Sequence, residues 1–570
     1  MSKKIEPQPL TLKSILENSI RNFGDLPSVS YVDGKPYTYS ELGKKVNDTF
    51  NLLQSLGLKK GDKVALLGQS MPNWVVAYFS VVSKGLVIVP VLPDFTPLEI
   101  ENVLVHSGAK VLFVSDKLIS RIENLNTPEL EAVILLNDFS MLRGNVDTNS
   151  QVNKNPVDID VKEDDLAAII YTSGTTGRSK GVMLTHKNIA FVAMQSYTFQ
   201  PITSDDVFLS LLPLSHTYEN SIGLIYPIIY GASIYYLEKP PTASALLPAL
   251  AKIRPTMMLS VPLIMEKLFQ NQILKKFSEN KFKETIYNRP LLRKLIHRIA
   301  GKKLYQTFGG RLVFFGIGGA KLDATVERFL REANFPYAIG YGLTESAPLL
   351  AGAGTKQTKL GSTGFAVQGV ELKIDKPDKK GLGEIWAKGP NVMLGYYKNP
   401  EATAEVLTSD GWFRTGDYGY MDAHKRLYIK GRMKNTIIGA SGENIYPEDI
   451  ESVINNNQFV VETLVFEEDG YLVAKILLDL DELEKNIEHI KSVIEEKKIK
   501  GLHTIHELDD KYKVWSQHIL KKEINNKLNR VSQIKRVDLI DKPLEKTATH
   551  KIKRFLYTKH PAGEHKEHTD

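Results

Sequence analysis

The sequence predicts an α/β protein: a large N-terminal region of parallel α/β subdomains plus a small β subdomain, followed by a small α+β C-terminal domain. Three observations predict it. Short apolar runs alternate with helical stretches over residues 40–115 and again from about 160 to 345, Gly-punctuated short strands follow after about 360, and strands among Lys- and Glu-rich helices follow from about 433. Buried strands alternating with helices argue for a parallel sheet covered on both faces. At 570 residues the chain is too long for one core, because domains run to roughly 150 residues.

The elements read in order. "KVALLGQS" and "KVLFVSD" are strands around a helical segment. "DLAAIIY" is a strand, and "HKNIAFVAMQSYT" a helix with Thr185 as its cap. "DVFLSLLPL", "ASIYYL", "TMMLSVP", "GRLVFFGIGG" and "YAIGYG" are strands. The helices between them are "ENSIGLIYPIIYG", "ASALLPALAKIRP", "LIMEKLFQNQILKKF" and "ATVERFLREAN", the last begun near Asp323. "VELKID", "GEIWAKG" and "RLYIKGR" form the β subdomain, and "YLVAKILLDL" and "KRVDLI" are strands of the C-terminal domain. The two most apolar stretches, "NWVVAYFSVVSKGLVIVPVL" and "GLIYPIIYGASIYYL", are broken by Lys84 and Pro227. They read as buried helix-then-strand units rather than membrane spans.

Composition excludes several chemistries. The chain has no cysteine, so a disulfide framework, a thiolate metal site and a cysteine nucleophile are ruled out. A reducing, cytoplasmic setting fits. The formal net charge of +7 suits anionic ligands but is too diffuse to argue for nucleic acid. The N-terminus has no apolar core and no small-residue cleavage site, so no signal peptide is expected.

The stretch "YTSGTTGRSKGVMLTH", Tyr171 to His186, follows a predicted strand. Ligands in parallel α/β sheets bind at the carboxyl ends of strands, where loops lead into helices. Glycines let backbone N–H groups approach an anion, Ser and Thr hydroxyls add donors, and Lys180 adds charge. A polyphosphate requires such groups. Counting from Gly174, the spacing ends in Ser179-Lys180-Gly181, which is not a Walker A loop and excludes a P-loop ATPase. As an ordered string, "YTSGTTGRSKGV" resembles the signature of adenylate-forming ligases: acyl-CoA synthetases, peptide-synthetase adenylation domains and luciferases.

Further motifs of that family follow in order. The resemblance implies that Thr172, Ser173, Gly174, Thr175, Thr176, Gly177 and Lys180 hold the phosphates of ATP. "LPLSHTYE" resembles the family's fourth motif, with His216 beside the acyl carboxylate. "GIGGAKL" resembles the turn under the adenine, which implies contacts from Gly318, Gly319 and Ala320. "YGLTE" implies that Tyr341 flanks the adenine, Gly342 adjoins it, Thr344 touches the α-phosphate and Glu345 holds Mg2+. One carboxylate plus phosphate oxygens is a usual magnesium donor set. "WFRTGDYGY" implies Asp417 on the ribose hydroxyls, and "YIKGRMKNTIIGASGENIYPEDIE" adds Arg432 there. Lys434 would begin the C-terminal domain, and Gly442, in "GASGEN", would reach the pantetheine channel of coenzyme A. "PLEKTATHKIKR" resembles the final motif, whose lysine aligns with Lys551. His550 stands where the family usually has Gly.

The resemblance thus implies an AMP-binding domain over 1–431, with α/β subdomains to about 355 and the β subdomain from about 356. A mobile domain over 432–570 would join it through a hinge near 431–434. It also implies two half-reactions. A carboxylate attacks the α-phosphate of ATP, giving an acyl-adenylate and pyrophosphate, with Lys551 stabilising the developing charge. The C-terminal domain then turns, and a thiol takes the acyl group, releasing AMP.

Acetyl-CoA synthetases carry a Trp where this chain has Gly342, and aryl-acid ligases carry a lysine where it has Ile438. Both departures favour a medium- to long-chain fatty acid. Coenzyme A is the expected acceptor, with an acyl-carrier-protein synthetase as the runner-up. A peptide-synthetase module is disfavoured because no carrier domain follows Arg554. A regulatory protein without catalysis is disfavoured because Thr344, Glu345 and Lys551 are all present. Finally, Lys275 to Lys303 holds ten Lys or Arg against Glu279 and Glu284, with leucines and isoleucines at helical spacing. An ordinary surface helix would pack that stripe on the domain; peripheral membrane contact through residues 275–304 is the alternative expectation.

Overall fold

The computed structural model describes residues 4–144, 159–172, 179–270, 287, 289–439, 444–457, 459–485, 515–547 and 552–557. Among these, two large sheets carry the N-terminal region. The first has eight strands, in the order Gly395–Tyr396, Lys180–Thr185, Leu166–Thr172, Val87–Val91, Lys63–Leu67, Ala109–Val114, Ala132–Leu135 and Met141–Arg143. Its centre, from Leu166–Thr172 to Ala132–Leu135, is parallel, and its outer pairings are antiparallel. The second has seven, in the order Tyr337–Ile339, Phe314–Ile317, Met257–Ser260, Val207–Ser210, Ser233–Tyr236, Pro27–Tyr31 and Tyr37–Thr38. Only its last pairing is antiparallel.

Helix Pro72–Val82 explains how the two sheets become one body. Every residue in it is buried, and it touches Pro27–Tyr31 of one sheet and Lys63–Leu67 and Val87–Val91 of the other. A helix that is apolar all round belongs in such a position. The two apolar stretches expected to be helix-then-strand units are so: Pro72–Val82 precedes Val87–Val91, and the helical run Glu219–Tyr230 precedes Ser233–Tyr236. Glu219–Ile225 is wound as a π-helix. Both expected caps hold. Thr185 Oγ1 accepts from Asn188 N at 3.1 Å, and Asp323 Oδ1 accepts from Thr325 N at 2.7 Å.

The structure corrects one expectation. The Gly/Ser/Thr loop does not lead from a strand into a helix. Lys180–Thr185 is itself a strand, antiparallel to Leu166–Thr172 with Thr172 opposite Lys180, and the helix begins only at His186. Its residues are mostly buried, with only Lys180 and Met183 partly exposed, as in a strand covered on both faces. A Cβ at Gly181 would lie 2.9 Å from the Ile169 side chain, so the two strands pack closely there.

The β subdomain is a four-stranded antiparallel sheet of Glu371–Asp375, Gly383–Lys388, Phe413–Met421 and Leu427–Arg432. Beyond it, Val460–Glu468, Tyr471–Leu478 and Arg536–Ile540 form a three-stranded sheet. Helix Pro447–Asn455 packs on that sheet and shares its separate core with Trp515, Leu520 and Ile524. Among the described residues no helix is long and apolar enough to cross a membrane.

Candidate nucleotide site

The carboxyl ends of the seven-stranded parallel sheet gather three predicted segments. His216 follows strand Val207–Ser210, Gly318 to Ala320 follow Phe314–Ile317, and Tyr341 to Glu345 follow Tyr337–Ile339. Ligands bind at this edge of such sheets. Gly319 has φ of +86°, a left-handed conformation that glycine adopts without steric cost. A Cβ on Gly318 would lie 3.3 Å from the Tyr218 ring, so that aromatic side chain backs the turn.

The β subdomain brings up a second group. Its register sets Asp417 directly across from Arg432. Asp417, 4% exposed, lies 2.8 Å through Oδ1 from Arg432 Nε, while its Oδ2 accepts a 2.7 Å hydrogen bond from the Tyr341 hydroxyl. Desolvation acts against the charge on Arg432, but Asp417, with Glu345 and Glu448 among the further contributors, outweighs it and raises the pKa. Burial pushes the Tyr341 hydroxyl far up, so it acts as a donor at neutral pH. Tyr341, Asp417 and Arg432, expected at the adenine and the ribose, therefore form one cluster.

Glu345 sits in a short turn, Thr344–Ser346, and is joined to strand Lys180–Thr185 through Tyr396. Tyr396 lies on the edge strand paired with Val182, donates to Glu345 Oε1 at 2.9 Å, and has Lys180 Nζ 4.8 Å from its ring centroid. The sequence reading missed Tyr396: an aromatic in "LGYYKNP" carries no local signal, and only strand pairing brings it to the site. Gly342 has a steric reason of its own. A Cβ there would lie 1.8 Å from the Pro348 carbonyl oxygen.

His216 is half-buried in a turn, its N–H donating to Pro213 O at 3.0 Å, and Lys434 lies exposed in the turn Met433–Asn435. Thr172 ends its strand at the mouth of the loop. Ser173, Gly174, Thr175, Thr176, Gly177, Gly442, His550 and Lys551 lie outside the described residues. The structure also contains an unforeseen acid. Glu219 is buried on the π-helix, accepts from Ser210 Oγ at 2.5 Å, and burial raises its carboxyl to about 8.

A parallel α/β core with glycine turns at the strand ends, plus an Asp–Arg pair that a β subdomain sets against Tyr341 of that core, defines a nucleotide-binding α/β protein. The chain belongs to the AMP-binding enzyme family, whose model matches residues 16–397. It is 28% identical to the long-chain-fatty-acid–CoA ligase ACSBG2 of Rattus norvegicus, over 83% of this chain and 77% of the relative. It is also 28% identical to the chloroplastic long-chain-fatty-acid–[acyl-carrier-protein] ligase AEE15 of Arabidopsis thaliana, over 81% and 75%. Its fold resembles the solved anthranilate CoA ligase AuaEII in complex with anthranoyl-AMP, at TM-score 0.73 and 22% identity, covering 96% and 97% of the two chains.

Proposed function

We propose that this protein is an ATP-dependent ligase that activates a medium- to long-chain fatty acid as its acyl-adenylate and transfers the acyl group to coenzyme A. The observation that carries the reading is the Tyr341–Asp417–Arg432 cluster beside Glu345, reached from three separate parts of the chain. The names of relatives such as ACSBG2 support a fatty acid and coenzyme A.

In this reading Asp417 accepts from the ribose hydroxyls while Arg432 fixes its orientation. Tyr341 flanks the adenine over the turn Gly318–Gly319–Ala320. Thr172, Ser173, Gly174, Thr175, Thr176, Gly177 and Lys180 cradle the phosphates, Thr344 donates to the α-phosphate, and His216 orients the acyl carboxylate. Lys551 offsets charge as the carboxylate oxygen attacks phosphorus and pyrophosphate leaves. The 432–570 unit, beginning near Lys434, then turns about 431–434, and Gly442 lies along the incoming pantetheine arm. The thiol attacks the acyl carbon and AMP leaves.

Glu345 fits a magnesium ion as its single protein carboxylate. Among the described residues no cluster of three or more His, Cys, Asp or Glu side chains is arranged around a metal, so remaining ligands would come from phosphate and water. Bound there, the ion would supply charge neutralisation to the polyphosphate.

A cytoplasmic enzyme working at a membrane surface suits this substrate. On helix Pro290–Thr307 the leucine stripe faces outward: Leu291, Leu295 and Ile299 are 85%, 56% and 66% exposed. His297 and Gly301 face inward instead, with Arg293 Nη2 2.9 Å from Glu332 Oε1. Lys294, Arg298 and Lys302 flank the stripe, as an anionic bilayer would require. Loss of vesicle co-sedimentation in Leu295→Glu and Ile299→Glu is the expected result; binding that ignores anionic lipid would remove this part.

The deciding assay is pyrophosphate release with ATP, magnesium and a ladder of fatty acids, with and without coenzyme A. Release that needs a long acid, followed by CoA-dependent AMP formation, is expected. Release that stalls with coenzyme A and resumes with a phosphopantetheinylated carrier protein would favour the acceptor named for AEE15. No release with any acid would overturn the ligase reading.

A further inference from the structure

The strongest unassigned cluster lies between the turn Gly318–Ala320 and helix Pro447–Asn455. Asp323 uses its whole carboxylate there. Oδ1 accepts from the N–H groups of Thr325 and Val326 at 2.7 and 3.1 Å, capping helix Ala324–Glu332. Oδ2 accepts from Ser452 Oγ at 2.6 Å and from Asn456 Nδ2 at 2.7 Å. Lys321 pairs with Asp449, and Gln270 Nε2 donates to Asn455 O at 2.9 Å. Asp449, Ser452 and Asn456 fall three and four residues apart, on one side of the helix.

Glu448 and Glu451 of the same helix meet the end of the chain. Arg554 pairs with Glu451, lies 3.9 Å from Glu448 Oε1, and donates to Val465 O at 3.2 Å. Glu448 also accepts from Asn435 Nδ2 at 2.6 Å and belongs to the carboxylates that hold Arg432 charged. The helix therefore contacts both the loop after the candidate adenine turn and Arg554 of the final motif.

We propose that Asp323 is a positioning residue that latches helix Pro447–Asn455 through Ser452 and Asn456, holding the C-terminal unit in its adenylating orientation until thioester formation. The inference rests on the two-step ligase reading. In this orientation Glu448 faces Arg432 of the candidate ribose site, as the first half-reaction, made at the nucleotide, would require; the Arg554 contacts lie within the C-terminal unit and move with it. Rotation of the unit must break both hydrogen bonds to Oδ2, while Oδ1 keeps its cap. Bonds to a charged acceptor are the stronger kind, so each would bias the two orientations on the order of tenfold.

The test uses Ser452→Ala and Asn456→Ala on the C-terminal side and Asp323→Asn on the other. Asparagine remains a good helix cap but sets amide hydrogens against those of Asn456. Acid-dependent pyrophosphate release without coenzyme A is expected to fall on the order of tenfold. Thioester formation from added acyl-adenylate and coenzyme A is expected to hold or rise. Because the chain has no cysteine, dyes on Leu247→Cys and Leu480→Cys, both exposed positions, report the orientation without catalysis. A dye-distance distribution unchanged in all three variants overturns the latch. So does a ratio of the two rates that is unchanged or favours adenylation. Wild-type protein that releases no pyrophosphate would overturn the ligase reading instead, and the dye distances would still judge the latch.

Discussion

Tyr396 donates its hydroxyl to Glu345 at 2.9 Å while Lys180 lies over its ring, so one aromatic residue couples the candidate metal carboxylate to the candidate phosphate lysine. Neither partner is near it in sequence. Tyr396 reaches them because Gly395–Tyr396 adds an edge strand to Lys180–Thr185.

Tyr396→Phe keeps the ring and removes the hydrogen bond. A bond to a carboxylate contributes about 1.5–3 kcal/mol, so Glu345 loses its fixed orientation. The magnesium concentration for half-maximal pyrophosphate release is expected to rise roughly tenfold. An unchanged magnesium midpoint would mean that the bond does not position Glu345.

Asp417→Asn keeps the shape of the side chain and removes the charge facing Arg432. Nucleotide binding is expected to weaken by at least about tenfold, and the Asp417→Asn/Arg432→Gln pair should be less than additive, because the two groups act as one. Isothermal titration with ATP measures this. Strict additivity would sink the shared role.

Gly342→Ala places a methyl 1.8 Å from the Pro348 carbonyl oxygen, and a backbone atom cannot swing aside. The turn carrying Thr344 and Glu345 must move. Adenylation is expected to fall by orders of magnitude, with a loss of about 1–3 kcal/mol in stability. Near-normal pyrophosphate release from this variant would show that the turn tolerates displacement.

Glu219 makes stability depend on pH. Burial raises its carboxyl from an ordinary 4.5 to about 8. The folded state therefore holds a proton that the unfolded state releases, and its stability contribution is full below about pH 4.5 and lost as pH rises through about 8. Glu219→Gln keeps the acceptor for Ser210 without the ionisation. Its Tm is expected to fall less than that of the parent between pH 5 and 8.5, as thermal melts would show; parallel slopes would be inconsistent with a protonated Glu219.

Much of the fold was legible because its signals are local. The continuous apolar run of "DLAAIIY", the caps at Thr185 and Asp323, and the Gly-bounded strands of the β subdomain each lie within a few residues. The helix on Pro290–Thr307 was legible as an amphipathic stretch, but not which way its stripe faces. Arg293 and Glu332, far apart in sequence, decide that. Lys180–Thr185 was not legible as a strand, because its short apolar run has no alternation and its antiparallel pairing with Leu166–Thr172 spans the glycine loop.

Ordered motifs and hydrophobic period survive in one dimension, so the α/β class, the family membership and the order of the residues from Thr172 to Arg432 are legible without the fold. What those residues touch is not. The Tyr341–Asp417–Arg432 cluster, the Tyr396 bridge and the Asp323 contacts to Ser452 and Asn456 each join residues at least 15 positions apart in sequence. Only strand register and helix docking bring such groups within hydrogen-bond distance, and neither is written in any local pattern.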